Sequence, residues 1–323
     1  MANGAQRTAD VELSLATETY NLTEGQSWDS FVAAMTSVAR LVERTPQSEG
    51  LLLDVTDDPR IEALVAGTQG RVRRVACPGM NYDELKDRAA DEAAGRYIAY
   101  LDGDCVPADD DWLTQLLAPL REGTASAVAG LTFYPGDNPL THACNVLDFG
   151  FLLDKPGGSV GCYASNNVAF TTSIRREHRT PKTVMRCACY AHAQRLADAG
   201  HPMLSVPLAR VSHEQPPIRR ERFRRGYDLV ATCWIHPALP ETPLLEQADA
   251  KQFITENLML DATRLDRYVA HHGLPREERD AIAATIRRLR RLDAYGVRAA
   301  LRDGEATGAN RRALRAHDTI SAA

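Results

Sequence analysis

The chain has 323 residues, 44% hydrophobic and 25% charged, with a formal net charge of −5. That length supports a large core, and the mildly acidic balance gives no reason to expect nucleic-acid binding. No run of about eighteen apolar residues predicts a transmembrane helix. The start MANGAQRTADVEL lacks the apolar centre of a signal peptide, and seven scattered cysteines without a CxxC pair read as reduced thiols, so the expected location is cytoplasmic.

Residues 11–17 are β-prone and run into Glu18-Thr19-Tyr20-Asn21. From Ser27, an N-cap, to about 43, Phe31, Met35, Val38, Leu41 and Val42 share one helical face. GLLLDV (50–55) predicts a buried strand with Asp54 near its end, 59–66 a short helix, and 71–76 a third strand. Residues 82–94 predict a helix ended by Gly95, and 97–101 a fourth strand entering Asp102. A helix over 109–120 follows, with Trp112, Leu113, Leu116 and Leu117 inward, then a strand over 127–134. Residues 135–161 read as irregular, 163–171 as a strand, 185–199 as a helix capped by Gly200, and 204–211 as a strand reaching Ser212-His213. Residues 216–225 (PPIRRERFRR) read as a basic arm, and the pattern is helical from about 243, with a loose end over the last twenty residues. Strands alternating with helices predict a mostly parallel sheet, with ligands outside the carboxyl ends of its strands. Tyr20-Asn21, Asp54, Asp102 and Asp104 all fall at those ends.

Asp102-Gly103-Asp104 poses the main question. Two carboxylates one residue apart repel each other unless water or a cation intervenes. As hard oxygen ligands after a strand they suit Mg²⁺ or Mn²⁺, which keep positions open for phosphate oxygens. Gly103 lets the backbone turn and approach a ligand closely. The bland alternative is an acidic turn in which Asp109 or Asp110 caps the next helix. No glycine-rich phosphate loop or dinucleotide fingerprint competes. His213 reads as a third metal ligand, a phosphate contact, or a surface histidine. Asn166 and Asn167 lie in an apolar run and need partners, either substrate hydroxyls or neighbouring backbone. Arg219, Arg220, Arg222, Arg224 and Arg225 offer guanidinium forks to phosphate, or are merely solvated.

Taken together, these residues resemble the family 2 glycosyltransferases of GT-A fold, over about residues 11–228. The resemblance rests on ETYN (18–21), on Asp54 in LLLDVTDD, and on YDELKDRAADEAAGRYIAYLDGDCVPADDDWL with Lys86 inside it. SNNVAF (165–170) and PLARVSH (207–213) extend it. It implies an α/β GT-A domain over 1–240, Rossmann-like with helices on both faces, and an α-helical extension over 241–323. It further implies a UDP-, GDP- or dTDP-sugar donor, an acceptor the sequence does not name, Mn²⁺ or Mg²⁺, and inversion at the anomeric centre. By the same resemblance Tyr20, Asn21, Asp54, Lys86, Asp102, Asp104 and Arg220 bind the donor, with Asp54 on the base. Trp112, Asn166 and Asn167 face the acceptor, and Asp104 and His213 hold the metal.

One departure stands out. The family's usual acidic pair is missing from VMRCACYAHAQRL, where Cys189 falls about where the general base belongs, and no acid lies between Glu177 and Asp198. His192, Glu177, Asp148 and Asp154 are the candidate substitutes. A non-catalytic GT-A-like binding protein and a nucleotidyltransferase, which also uses a strand-end Asp pair, remain open. The C-terminal stripe of Arg287, Arg288, Arg290 and Arg291 beside Ile282, Ile286, Leu289 and Leu292 reads as a packed, solvated cap and also permits peripheral membrane contact.

Overall fold

The structure, a computed structural model, describes residues 11–181, 188–235 and 250–306. Its elements in chain order are β1 (Leu13–Glu18), α1 (Tyr20–Thr23), α2 (Trp28–Arg44), β2 (Ser48–Asp54), α3 (Pro59–Gly67), β3 (Val72–Ala76) and α4 (Tyr82–Glu92). There follow β4 (Tyr97–Leu101), β5 (Cys105–Pro107), α5 (Trp112–Arg121), β6 (Ala127–Phe133), α6 (Pro139–Phe149), β7 (Ser159–Val160) and β8 (Asn167–Thr171). The last are α7 (Thr172–Glu177), α8 (Ala188–Asp198), β9 (Met203–His213), α9 (Ile218–Ile235), α10 (Ala250–His272) and α11 (Arg276–Ala306).

Local chemistry sets the helix starts. Ser27 accepts from Ser30 N at the head of α2, and Asp58 with Pro59 opens α3. Asn81 and Glu84 form a reciprocal capping box on α4. The expected irregular stretch 135–161 contains α6, because Asn138 and Pro139 act as N-cap and first helical residue rather than as breakers. The expected arm 216–225 is likewise the start of α9, entered after Pro216-Pro217. The expected strand 163–171 begins only at Asn167, whose N–H closes a turn on Ala164 O at 3.2 Å. The expected helix start at 185 and the loose C-terminal end lie outside the described residues.

All nine strands join one sheet in the order β3-β2-β1-β4-β8-β6-β9-β5, with β7 also on β9. β1, β2, β3 and β4 pair in parallel, as expected of a βα repeat. β8 then enters antiparallel between β4 and β6. On one face α2 and α5 share a core with the strands: Phe31, Met35, Val38, Trp112, Leu116 and Leu117 pack with Leu13, Leu15, Leu52, Ala99 and Leu101. Burying each such side chain contributes roughly 1.5–3 kcal/mol. By strand alternation Tyr100 points the other way, and its hydroxyl donates to Lys86 O of α4 at 2.8 Å. The mixed α/β architecture is the GT-A-type fold the resemblance implied, with helices on both faces.

The short link 102–104 forces curvature. β4 and β5 stand four places apart in the hydrogen-bonding order. Four gaps of a flat sheet cover about 19 Å, yet the link reaches only about 14 Å. The sheet therefore curls until β5 returns toward the end of β4.

The described residues group into two units. One holds 11–135, 152–180 and 192–214; the other holds 136–151, 181, 188–191, 215–235 and 250–306. The expected boundary near 240 falls outside the described residues. α9 groups with the C-terminal helices because it packs closely on α11: a Cβ on Gly226 would lie 1.9 Å from Asp293 O. In α11, Ile282, Ile286 and Leu289 are buried as expected, and Arg287, Arg288 and Arg291 are exposed. Arg290 is buried instead, because Asp261 and Asp293 pair with it. Among the described residues no helix is long and apolar enough to cross a membrane.

Candidate active site

The site forms where three strands end together. β1 and β4 pair in parallel with Ala16 opposite Tyr100, which carries Glu18 and Asp102 to the same end. Between the two acids of the link, Gly103 lies so close to β1 that a Cβ would come within 2.4 Å of Glu18 O. Its N–H donates to Glu18 Oε1 at 3.3 Å. β5 pairs antiparallel with β9, placing Cys105 opposite His213. That register sets His213 Nε2 3.4 Å from Asp104 Oδ2, and Glu214 N donates to Asp104 O at 2.9 Å. Tyr134 packs edge-on against the His213 ring, centroids 5.6 Å apart.

Asp102 is held from the side of α4. Lys86 Nζ donates to one carboxylate oxygen, and Tyr82 Oη donates to the other at 2.5 Å. Lys86 is itself buried and lies over the rings of Tyr82 and Tyr100 at 4.8 and 5.1 Å. Glu18 accepts from the N–H groups of Tyr20 and Asn21, and from Asn21 Nδ2 at 3.1 Å. Asp54, at the end of neighbouring β2, accepts from Thr19 Oγ1 at 2.8 Å, Thr56 N at 2.9 Å and Arg74 Nε at 2.7 Å.

Three carboxyl groups, Glu18, Asp102 and Asp104, are thus buried together at the ends of paired strands, beside one lysine. Burial, then the nearby Asp102, pushes the Glu18 carboxyl up to about 8, against the pull of Lys86. Burial also raises Asp104, and His213 pulls it back. Cys105 rises well above the ordinary thiol range through burial and the two aspartates, so it stays a neutral S–H that donates to Asp104 Oδ1 at 3.5 Å. Asp104, Cys105 and His213 offer ligand atoms within 4.8 Å of one another. With the thiol protonated, the useful donors are a carboxylate and an imidazole beside further buried acids. That set fits a divalent cation, and the nitrogen suits Mn²⁺ better than Mg²⁺.

Residues 57–177 match the family model of glycosyl transferase family 2. The resemblance read from the sequence is borne out. A mannosyltransferase from Pyrobaculum calidifontis, solved with GDP-Man and Mn²⁺, superposes with a TM-score of 0.58 at 14% identity, covering 90% of this chain and 88% of that one. A structure described only as a mycobacterial protein gives a TM-score of 0.49 at 14% identity, covering 71% and 75%. The first likeness shows the fold. No curated protein matches the chain.

Within this GT-A-type framework, the structure brings together Tyr20, Asn21, Lys86, Asp102, Asp104 and His213, with Asp54 one strand away. It adds Glu18 and Tyr82, which the sequence reading quoted inside motifs without giving them a role. The strand order is what reveals Glu18. Asp83, beside Tyr82, is pushed up to about 6, chiefly by burial.

Other expected residues do different work. Trp112 and Asn167 are fully buried, and the indole N–H donates to Asn167 Oδ1 at 2.9 Å. The Asn167 amide donates to Leu131 O at 3.2 Å and Ala209 O at 2.9 Å, bridging the register shift between β6 and β9. Neither residue can face an acceptor. Asn166 is buried too, accepting from Thr132 Oγ1 at 2.8 Å. Arg220 is exposed on the first turn of α9, in the second unit, while Arg222 is buried against Asp148 and Asp293. The expected basic arm is therefore the start of a helix whose Arg222 joins a buried ion-pair network with α6 and α11.

Among the candidate bases, His192 is fully buried. Its Nδ1 accepts from Tyr163 Oη at 2.5 Å and its Nε2 donates to His178 O at 2.6 Å. Burial and Arg175 lower it to about 3, so it is a neutral core residue. Glu177 ends α7, which leaves β8 beside the start of β4, since Thr171 pairs with Tyr97; it stands at the opposite end of the sheet from Asp102. Asp148 is buried against Arg222 and Arg225. Asp154 is half-buried in the loop before β7.

Proposed function

We propose that the protein transfers a sugar from a UDP-, GDP- or dTDP-sugar to an acceptor hydroxyl, with inversion and with a divalent cation at Asp104 and His213. The observation that carries this reading is the convergence of Glu18, Asp102, Asp104 and His213 at one end of a family 2 GT-A-type sheet. The P. calidifontis enzyme, solved with GDP-Man and Mn²⁺, supports it by likeness of fold. When bound, the cation would neutralise charge on the departing diphosphate, an effect worth several kcal/mol.

The chain's own residues then have separable tasks. Lys86 and Tyr82 orient Asp102 toward the donor ribose. Glu18 fixes the Tyr20-Asn21 turn and Gly103, which shapes the floor of the site. Asp54 presents the base-side edge, its carboxylate steadied by Arg74 and Thr56. His192, Glu177 and Asp148 are thus each engaged elsewhere or stand at the far end of the sheet, and the group that takes the acceptor proton is left open.

Thermal melting with a panel of nucleotide sugars, with and without Mn²⁺, tests the reading. A cation-dependent stabilisation that disappears in Asp104→Asn supports it; donor binding of equal strength in that variant sinks it. Donor binding without release of nucleoside diphosphate would favour the non-catalytic reading, for which the missing acid pair speaks.

A further inference from the structure

We propose a second cation site, for Zn²⁺, formed by Asp137, His142 and Glu278 in the second unit. His142 is 7% exposed, with Nε2 3.1 Å from Asp137 Oδ1 and 3.3 Å from Glu278 Oε1. The three ligand atoms lie within 4.8 Å of one another. Zn–N and Zn–O bonds of about 2.0–2.2 Å put adjacent tetrahedral ligands roughly 3.2–3.6 Å apart. The two spacings from Nε2 match those between neighbouring ligands of one coordination shell.

Helix-start geometry brings the ligands together. Asn138 caps α6, its Oδ1 accepting from Leu140 N at 3.1 Å and Thr141 N at 3.0 Å. Asp137 precedes the cap and His142 lies four positions into the helix, and these two positions meet at a capped start. Glu278 comes from the first turn of α11. The other imidazole nitrogen is fixed as a metal-binding histidine requires: Nδ1 lies 2.8 Å from Tyr268 Oη of α10, and the same phenol oxygen accepts from Asn145 Nδ2 at 3.4 Å. In the tautomer the proposal takes, Nδ1–H is donated to Tyr268 and the Nε2 lone pair faces the two carboxylates, where a cation would satisfy all three groups; the other tautomer makes Nε2–H a donor to Asp137. The side chain of Asp137 is 93% exposed, so a fourth, water-filled position is open. Two carboxylates and an imidazole select Zn²⁺ over hard cations such as Mg²⁺. None of these residues belongs to the strand-end site.

The full-length chain, freed of metal by chelation and carrying Asp104→Asn to silence the first site, is titrated with Zn²⁺ and, separately, with Co²⁺. One equivalent of Zn²⁺ should bind and raise the melting temperature, and Co²⁺ should give the visible band of a tetrahedral centre. Asp137→Asn with Glu278→Gln should weaken Zn²⁺ at least ~100-fold, and Tyr268→Phe about tenfold. The single exposed change Asp137→Asn, checked by circular dichroism in chelator, keeps the test sound if the double variant unfolds. Absence of Zn²⁺ binding, or equal affinity in parent and ligand variants, overturns the site and leaves His142 hydrogen-bonded between two helix starts.

Discussion

Two buried clusters of charge resolve the same problem in opposite ways. In the second unit Asp148, Asp261 and Asp293 meet Arg222, Arg225 and Arg290. Arg225 lies 2.9 Å from Asp148, and Arg290 lies 2.7 and 2.8 Å from Asp261 and Asp293. Burial alone would lower Arg290, yet the two aspartates hold it above its ordinary value. At the strand ends Glu18, Asp102 and Asp104 share one lysine, Lys86, and His213 among the described residues, and Glu18 is driven toward its neutral form. Matched buried charge fixes a conformation; unmatched buried charge marks a place where something else must bind.

Breaking the matched cluster should have the largest effect on the fold. Arg222→Met leaves Asp148 and Asp293 short of a partner and should cost about 3–5 kcal/mol in urea melts; a loss under ~1 kcal/mol would undo the contrast. The unmatched cluster should respond in reverse. Asp104→Asn should hold or slightly raise stability in chelator while lowering cation-dependent turnover by about 10²–10³-fold, roughly 3–4 kcal/mol of transition-state stabilisation.

His192 shows a third solution, burial without charge, and its effect depends on pH. The folded imidazole is held at about 3, below the ordinary 6.5. The unfolded chain therefore binds the extra proton between those values. Stability is whole above pH 6.5 and falls as the pH drops toward 3, by about 2–3 kcal/mol at pH 4.5. His192→Gln should flatten that slope in melts run from pH 7 to 4.5. The smallest effect belongs to Tyr82→Phe, which removes one neutral donor from Asp102 and should cost about 1 kcal/mol, with a raised KM for the donor.

Much of this was legible in the sequence for physical reasons. Buried parallel strands read as apolar runs, so Asp54, Asp102 and Asp104 announced themselves as polar residues where such runs end. His213 was visible by the same logic. Glu18 was not, because its role depends on β1 lying beside β4, and strand order is a tertiary fact. Prolines misled twice: Pro139 and Pro216-Pro217 looked like breaks and proved to open helices. Asn167 invited a ligand because an amide in an apolar strand needs partners. It finds them in Trp112 and in the carbonyls left unmatched by the β6–β9 shift, which no local pattern encodes.

The curl that returns β5 to the end of β4 has a kinetic consequence. Among the described residues β5 joins the sheet through its pairings with β9, so Asp104 meets His213 once those contacts have formed. Those are contacts of long sequence separation, the slow kind to form. The ligand pair is thus completed at the closing seam of the sheet, and local opening of β9 from β5 would dissolve it first. A cation held there would act as a latch. It would select the closed form by mass action and slow the opening of that seam, while barely touching the early-formed β1–β4 core.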